Sequence, residues 1–158
     1  MKKLILTIIV LFVSIMTWAG SPAKVLTLMN EYKHHEGFDS VTIGPLGLSL
    51  MKSIVLSDKD LDDEDRKALQ AFKQIRRLSV LDFGDAEAQL KARFVSKVSQ
   101  VLNGMELLLE AKDSSSRLSI YGVDDGGTVR DCVLFDPEGT LICVKGKIDM
   151  ESLMQMAQ

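Results

Sequence analysis

Residues 129–144 read VRDCVLFDPEGTLICV, two apolar runs joined by a turn. The runs 129–135 and 141–144 are rich in β-branched and aromatic residues and have the length of strands. The linking residues DPEG favour a three-residue hairpin loop, with a type I turn and Gly139 in the left-handed bulge position. The stretch therefore predicts an antiparallel hairpin in which Asp136 pairs with Thr140.

The register of this hairpin decides what the two cysteines do. The three-residue loop predicts three opposed pairs: Cys132 with Val144, Leu134 with Ile142, and Asp131 with Lys145. A two-residue loop would instead set Cys132 opposite Cys143, where an exported protein could oxidise the pair. It would also set Arg130 opposite Lys145, and directly opposed like charges are destabilising. We therefore expect the three-residue loop and two free, buried thiols.

Both faces of the hairpin are apolar along its centre. One face carries Cys132, Leu134, Ile142 and Val144, and the other carries Val133, Phe135, Leu141 and Cys143. A sheet with one wet face would alternate apolar and polar residues, so either helices cover both faces or one face is open for binding. Because Asp131 and Lys145 would flank Phe135 and Leu141 as a polar rim, we expect that side to be less covered. Val133, Phe135 and Leu141 are accordingly the expected partner-binding face.

Helical periodicity dominates the first half of the chain and strand patterns the second. Helices are predicted over 24–35, 45–55, 62–74, 86–103 and 150–157, and further strands over 38–43, 78–83, 105–111 and 118–123. Asp85 and Asp149 are the expected N-caps of the last two helices. With no repeat or linker, these elements predict a single α+β domain, a late antiparallel β-meander packed with several helices.

The second predicted helix is unusually apolar. Leu46, Leu50, Met51, Ile54 and Val55 fall on one side of it, and Gly44-Pro45 precedes it, with proline well tolerated at a first helical position. The helix is short and apolar enough to lie over part of a sheet.

The first nineteen residues have the three parts of a secretory signal. Met1-Lys2-Lys3 is a positive n-region, residues 4–16 are almost wholly apolar, and Thr17-Trp18-Ala19 suits a cut after Ala19. A membrane anchor, the competing interpretation, needs about 20 apolar residues, and Gly20-Ser21-Pro22 breaks the run before that length. We expect a signal peptide over 1–19 and an exported domain over 20–158 without a transmembrane segment, in the periplasm or cell envelope.

The charge balance of the chain limits its partners. The 158 residues contain 19 Lys plus Arg and 22 Asp plus Glu, a formal net charge of −3, and loss of Lys2 and Lys3 with the signal makes the balance more acidic. An acidic chain is a poor match for nucleic acid, because phosphate binding needs a basic surface. We therefore expect an envelope protein or a small ligand as partner.

Neither a metal site nor a cofactor is expected. The acidic run 58–65 places aspartates at the first three ligand positions of a calcium loop, but Asp63 stands where the loop needs Gly and Leu69 where it needs Glu. The run is better explained as the start of a helix, where negative charge complements the dipole. His34 and His35 are adjacent, so their rings point about 100° apart on a helix and do not converge on one ion.

Catalytic motifs are also missing from the sequence. No serine or cysteine lies in a nucleophile elbow, and no glycine-rich phosphate loop is present. A non-enzymatic partner- or ligand-binding protein is the leading interpretation; an enzyme of an unrecognised hydrolase type and a structural accessory of an envelope complex are the alternatives. A deep pocket holding His34 or His35 beside a carboxylate would favour an enzyme, whereas a flat apolar patch would favour partner binding.

The end of the chain resembles a known family. Residues 140–153, TLICVKGKIDMESL, pass from an apolar strand through a glycine into Ile-Asp and a short apolar helix. This resembles the domain-of-unknown-function 4252 family of small exported bacterial proteins, whose outline also fits the helix ending near Gly37 and the segment 75–82. The resemblance implies export from a Gram-negative cell and carries no established activity to any residue.

Overall fold

The computed structural model describes residues 20–57, 62, 63, 66, 72–151 and 154. Within these residues three α-helices, one 3₁₀ turn and six strands are formed. The helices are α1 (Pro22–Tyr32), α2 (Pro45–Leu56) and α3 (Ala88–Leu102), and the 3₁₀ turn is Phe72–Gln74. The strands are β1 (Asp39–Ile43), β2 (Ile75–Asp82), β3 (Glu106–Lys112), β4 (Arg117–Asp124), β5 (Thr128–Asp136) and β6 (Thr140–Asp149).

All six strands form one sheet in the order β1-β2-β6-β5-β4-β3, and every neighbouring pair is antiparallel. Strands β3 to β6 are neighbours in chain order, while β1 and β2 join the free edge of β6. The hairpin β5-β6 is therefore central, and β1 and β3 are the edge strands. The chain is a single α+β domain, as the sequence predicts.

Helices α1 and α3 cover one face of the sheet, which we call the helical face. Val25, Met29 and Tyr32 of α1 are buried there, as are Phe94, Val98 and Leu102 of α3. Residues three or four apart lie on one side of a helix, so each helix buries a single apolar stripe. The ring of Phe94 packs against those of Tyr32 and Phe83, with 4.9 Å between the centroids in each pair. The helical face therefore holds the larger part of the core.

The partner-binding face expected from the sequence lies inside this core. Val133 and Leu141 are fully buried and Phe135 is 5% exposed, with its ring stacked on that of Phe83. The expectation that this side is less covered is wrong, because α1 and α3 pack over it. The flanking charges Asp131 and Lys145 mark only the end of the buried region.

The residue pairing predicted next to the turn is confirmed, but the expected left-handed conformation of Gly139 is wrong, because its φ is not positive. Asp136 pairs with Thr140 and Leu134 with Ile142. Further along, the pairing shifts between Arg130 and Val133, so that Arg130 faces Lys147. Asp131 has φ 52° and its carboxylate accepts a 3.0 Å hydrogen bond from the Gly146 N–H. The expected pairings of Asp131 with Lys145 and of Cys132 with Val144 are therefore wrong, because an irregularity absent from the pattern intervenes.

Several boundaries also differ from the sequence-based expectation. Helix α3 begins at Ala88, and Glu87 occupies its N-cap position without a side-chain bond. Asp85 is not the cap, because residues 84–86 form a turn in which the Ala86 N–H donates to the Phe83 carbonyl. Strand β6 continues as far as Asp149. The predicted helices over 62–74 and 150–157 lie largely outside the described residues.

Among the residues that the structure describes, no helix combines the length and the apolar character needed to cross a membrane.

Candidate functional site

The face of the sheet opposite α1 and α3, which we call the α2 face, carries an apolar row across all six strands. The strand registers place one residue of each strand in this row. The row consists of Val41, Val80, Ile142, Leu134, Ile120 and Leu109. Ile120 is buried, its two neighbours in the row are only half-buried, and Val41 on the edge strand is 57% exposed. The α2 face is therefore apolar but incompletely covered.

Helix α2 lies over part of this face and directs most of its large apolar side chains outward. Leu48 is the inward contact, at 6% exposure within the cluster that includes Val144 and Ile148. The other large apolar side chains of α2 that the structure describes form what we call the α2 stripe. Its members are Leu46 (83% exposed), Leu50 (65%), Met51 (48%) and Ile54 (71%). Because Leu46, Leu50 and Ile54 recur every four residues, they share the outer side of the helix.

The polar groups of α2 are used within the helix or at its base. The hydroxyls of Ser53 and Ser57 donate to the carbonyls of Ser49 and Ser53, at 3.0 and 2.7 Å. Lys52 is the single charged residue of the helix, and its Nζ donates to the Lys73 carbonyl at 3.1 Å. These bonds leave the outer surface of α2 to the stripe.

Sequence reasoning placed the residues of the stripe together but did not predict that they face outward. The helix PLGLSLMKSIVL is apolar on nearly all sides, so periodicity alone does not say which side meets the sheet. The signal in the sequence that could have oriented the helix is Gly47, the one glycine of α2, which lies close to the Ile43 side chain. A Cβ at Gly47 would lie 2.9 Å from the Ile43 Cγ2, so a small residue is needed where the helix meets β1.

Both cysteines are free and buried, as the three-residue loop predicts. Cys132 packs on the α2 face with Val144, and Cys143 packs on the helical face with Leu141. Burial raises the pKa of each thiol from 9.0 to about 12. Because the thiolate is the nucleophile, neither cysteine suits nucleophilic catalysis near neutral pH.

The two histidines line none of the cavities described for this domain. His34 and His35 are exposed in the turn that follows α1. The His35 ring packs on the Tyr32 ring at 5.4 Å between centroids. Within the described residues no group of three His, Cys, Asp or Glu could hold a metal ion. Most of the acidic run 58–65 lies outside these residues, and Asp62 and Asp63 are exposed.

Two cavities meet at Asp131 and Lys145, where β5 and β6 become irregular. The first, of about 200 Å³, lies under the start of α1 and is lined by Pro22, Leu26 and Cys143 among others. The second, of about 540 Å³, is a cleft at the end of the sheet, which we call the basic cleft. Its lining residues are Lys73, Gln74, Ile75, Arg76, Arg130, Asp131, Lys145, Gly146 and Lys147.

Taken together, these features define a class of α+β domain. One face of a six-stranded antiparallel sheet forms the core with two helices, and the other face carries one apolar helix with an exposed stripe. The chain belongs to the family described as Domain of unknown function (DUF4252), whose model matches residues 32–156. This confirms the resemblance seen at the end of the chain. The match begins at the last residue of α1 and spans α2, α3 and the whole sheet.

Comparison with curated proteins and with solved structures gave no match to the chain.

Proposed function

We propose that this chain is an exported, non-enzymatic binding domain of the bacterial cell envelope, and that the α2 stripe is its contact surface for a partner protein. The observation that supports this proposal is the exposure of four large apolar side chains on a helix of twelve residues. Monomeric proteins seldom leave such side chains contiguous and exposed without a binding role.

Burial of the stripe in a complex would supply a useful driving force. Complete burial of one large apolar side chain is worth about 1.5–3 kcal/mol. The four stripe side chains are 48–83% exposed, so burying what remains exposed would match or exceed the lower range of the entropic cost of association, which is about 4 kcal/mol or more. Anchors spaced by four residues fit the mode in which a helix lies in an apolar groove of its partner.

The charge of α2 favours a protein over a lipid surface. Helices that lie in the membrane interface usually carry many Lys or Arg on their polar side. Helix α2 has a single cation, Lys52, and that ammonium group is bonded to the Lys73 carbonyl. A groove on another envelope protein is the better match for such a surface.

Export is the second part of the proposal and rests on residues 1–19. The positive start, the apolar run and the small residues before Gly20 support cleavage after Ala19. Mass spectrometry of the protein from its host should find a chain that begins at Gly20 or within a few residues of it. Retention of Met1 in the membrane fraction would contradict this part.

The partner surface can be tested by photo-cross-linking in the living host. A photoreactive amino acid replaces Leu50 in one strain and Ser96, an exposed residue of α3, in the matched control strain. We expect the probe at Leu50 to yield one defined adduct with another envelope protein, and the probe at Ser96 to yield none.

Each other outcome contradicts the proposed surface. An adduct between two copies of the chain would show that the stripe mediates self-association. Cross-linking to phospholipid would identify a membrane contact. Equal adducts from both probe positions, or none from Leu50, would remove the stripe as a partner site.

A further inference from the structure

The basic cleft concentrates positive charge on a chain that is acidic overall. Five cationic side chains line it together with one carboxylate, that of Asp131. The whole chain has 19 cationic residues and a formal net charge of −3. About a quarter of its cations therefore lie around one cleft of about 540 Å³, where their fields add.

Irregular strand pairing creates this cleft. In β2 the pairing shifts between Ile75 and Arg77, which leaves Arg76 as the extra residue beside Gly146. In β5 it shifts again between Arg130 and Val133. Two disturbed strands thus flank the same part of β6, and side chains that a regular sheet would send to alternate faces gather at one end.

Gly146 allows the strands to come this close. Its φ is +128°, and a Cβ there would lie 2.3 Å from the Gln74 carbonyl oxygen. Its N–H donates to the Asp131 carboxylate at 3.0 Å. One oxygen of the single acid of the cleft is therefore engaged by the backbone, and none of the ion pairs among the described residues includes Asp131.

Few carboxylates neutralise the positive charges of the cleft. Among the described residues, the one ion pair involving a lining cation joins Lys147 Nζ to Asp125 Oδ2, at 3.6 Å and about half exposed. Arg130 stands directly opposite Lys147, and Arg77, which lines the neighbouring cavity under α1, stands opposite Lys145. Like charges in directly opposed positions are destabilising. This repulsion would be relieved by a bound anion.

We infer that the basic cleft is a binding site for a phosphate-bearing anion. The two guanidinium groups, those of Arg76 and Arg130, suit bidentate contacts with phosphate oxygens, and the ammonium groups of Lys73, Lys145 and Lys147 add charge. The phosphate could belong to a small molecule in the periplasm or to a lipid headgroup. The inference does not depend on the α2 stripe, because the residues involved are different.

Calorimetry with inorganic pyrophosphate tests the site on the protein as the host exports it. Arg130→Gln and Arg76→Gln each remove one guanidinium, and Arg93→Gln on the exposed side of α3 is the matched control. We expect binding that weakens as salt rises, a loss of about tenfold or more in affinity for either cleft variant, and no change for the control.

Melting without ligand gives a second readout. Arg130→Gln removes one side of a like-charge pair, so it should raise the melting temperature at low salt, whereas Arg93→Gln should not.

An experiment with lipid vesicles separates the two sources of phosphate. Sedimentation with phosphatidylglycerol vesicles that pyrophosphate reverses indicates a headgroup, and binding of pyrophosphate without sedimentation indicates a small molecule. Absence of both, or equal affinity in wild type and the cleft variants, would overturn the inference.

Discussion

At the scale of single residues, Gly146 has a strict conformational requirement. It combines a φ of +128° with backbone atoms of Gln74 and Ile75 within 3 Å of where a Cβ would be. Gly126 has φ +66° but open space around it, so it reports the cost of backbone conformation alone. Gly126→Ala should cost about 1 kcal/mol or slightly more.

Gly146→Ala should destabilise by clearly more than Gly126→Ala, because the new Cβ also meets backbone that has to move. Urea denaturation of the two variants measures the difference. Equal losses would show that β2 and β6 do not approach each other as closely as described.

The buried thiols make stability depend on pH in the alkaline range. Burial raises the pKa of Cys132 and Cys143 to about 12 in the folded chain, against 9.0 for the free side chain. Between these values the unfolded chain has lost protons that the folded chain retains, so the free energy of unfolding falls as pH rises from 9 towards 12. The slope per thiol is at most about 1.4 kcal/mol per pH unit.

Replacing both cysteines by alanine should remove this part of the slope, which urea titrations at pH 8, 9 and 10 can measure against wild type.

Wild-type thiols should also resist alkylation in the native state and react fully in denaturant without reductant. A cross-linked peptide joining Cys132 to Cys143 would contradict the register.

The sequence predicted the residue pairing next to the β5-β6 turn but not the pairing at the other end of the hairpin, near Asp131. The DPEG sequence specifies a local loop, and the paired residues next to it follow. The shift at Asp131 lies beside the part of β6 where β2, a strand from a distant part of the chain, is also irregular. Avoidance of like charges was a poor guide there, since Arg130 faces Lys147 in the fold. The basic cleft was missed for the same reason.

At the scale of elements, a core contact and the proposed contact surface lie on different sides of one helix, α2. Leu48 is 6% exposed and packs on the α2 face, whereas Leu50 is 65% exposed. Leu48→Ala should lower the free energy of unfolding by about 2–5 kcal/mol, the usual cost of a large-to-small change in a core. Leu50→Ala should change it by about 0.5 kcal/mol or less.

Chemical denaturation of these two variants gives the comparison directly, since both remove the same atoms from the same helix. Similar losses from both would mean that the stripe is part of the core. A larger loss of stability from Leu50→Ala than from Leu48→Ala would mean that the inward side of α2 is assigned incorrectly.

Helical periodicity predicted α1 and α3, and the buried residues of each recur three or four apart because the helix is polar on its other side. It could not orient α2, which is apolar nearly all round. Which face of the sheet the helices cover was likewise not available from the strands, since both faces of β5 and β6 are apolar. Coverage depends on how the connections cross the sheet, and this is a property of the topology.

At the scale of the whole molecule, the two faces of the sheet differ in how completely helices cover them. The helical face buries Val133, Phe135 and Leu141 beneath two helices. The α2 face keeps half-buried residues such as Leu134 and an exposed helix surface above them. Phe135→Ser should therefore lower the free energy of unfolding by about 3–5 kcal/mol, while substitutions in the stripe should affect binding.

The most direct test is the yield of the Leu50 cross-linked adduct per folded molecule in two backgrounds, Phe135→Ser and Leu46→Ser/Ile54→Ser. Urea titration of each variant supplies the folded fraction. We predict that Phe135→Ser loses stability but keeps its yield per folded molecule, and that the double stripe variant keeps its stability but loses the adduct. Loss of the adduct in folded Phe135→Ser, with full yield from the stripe variant, would contradict the assignment of the contact surface to α2.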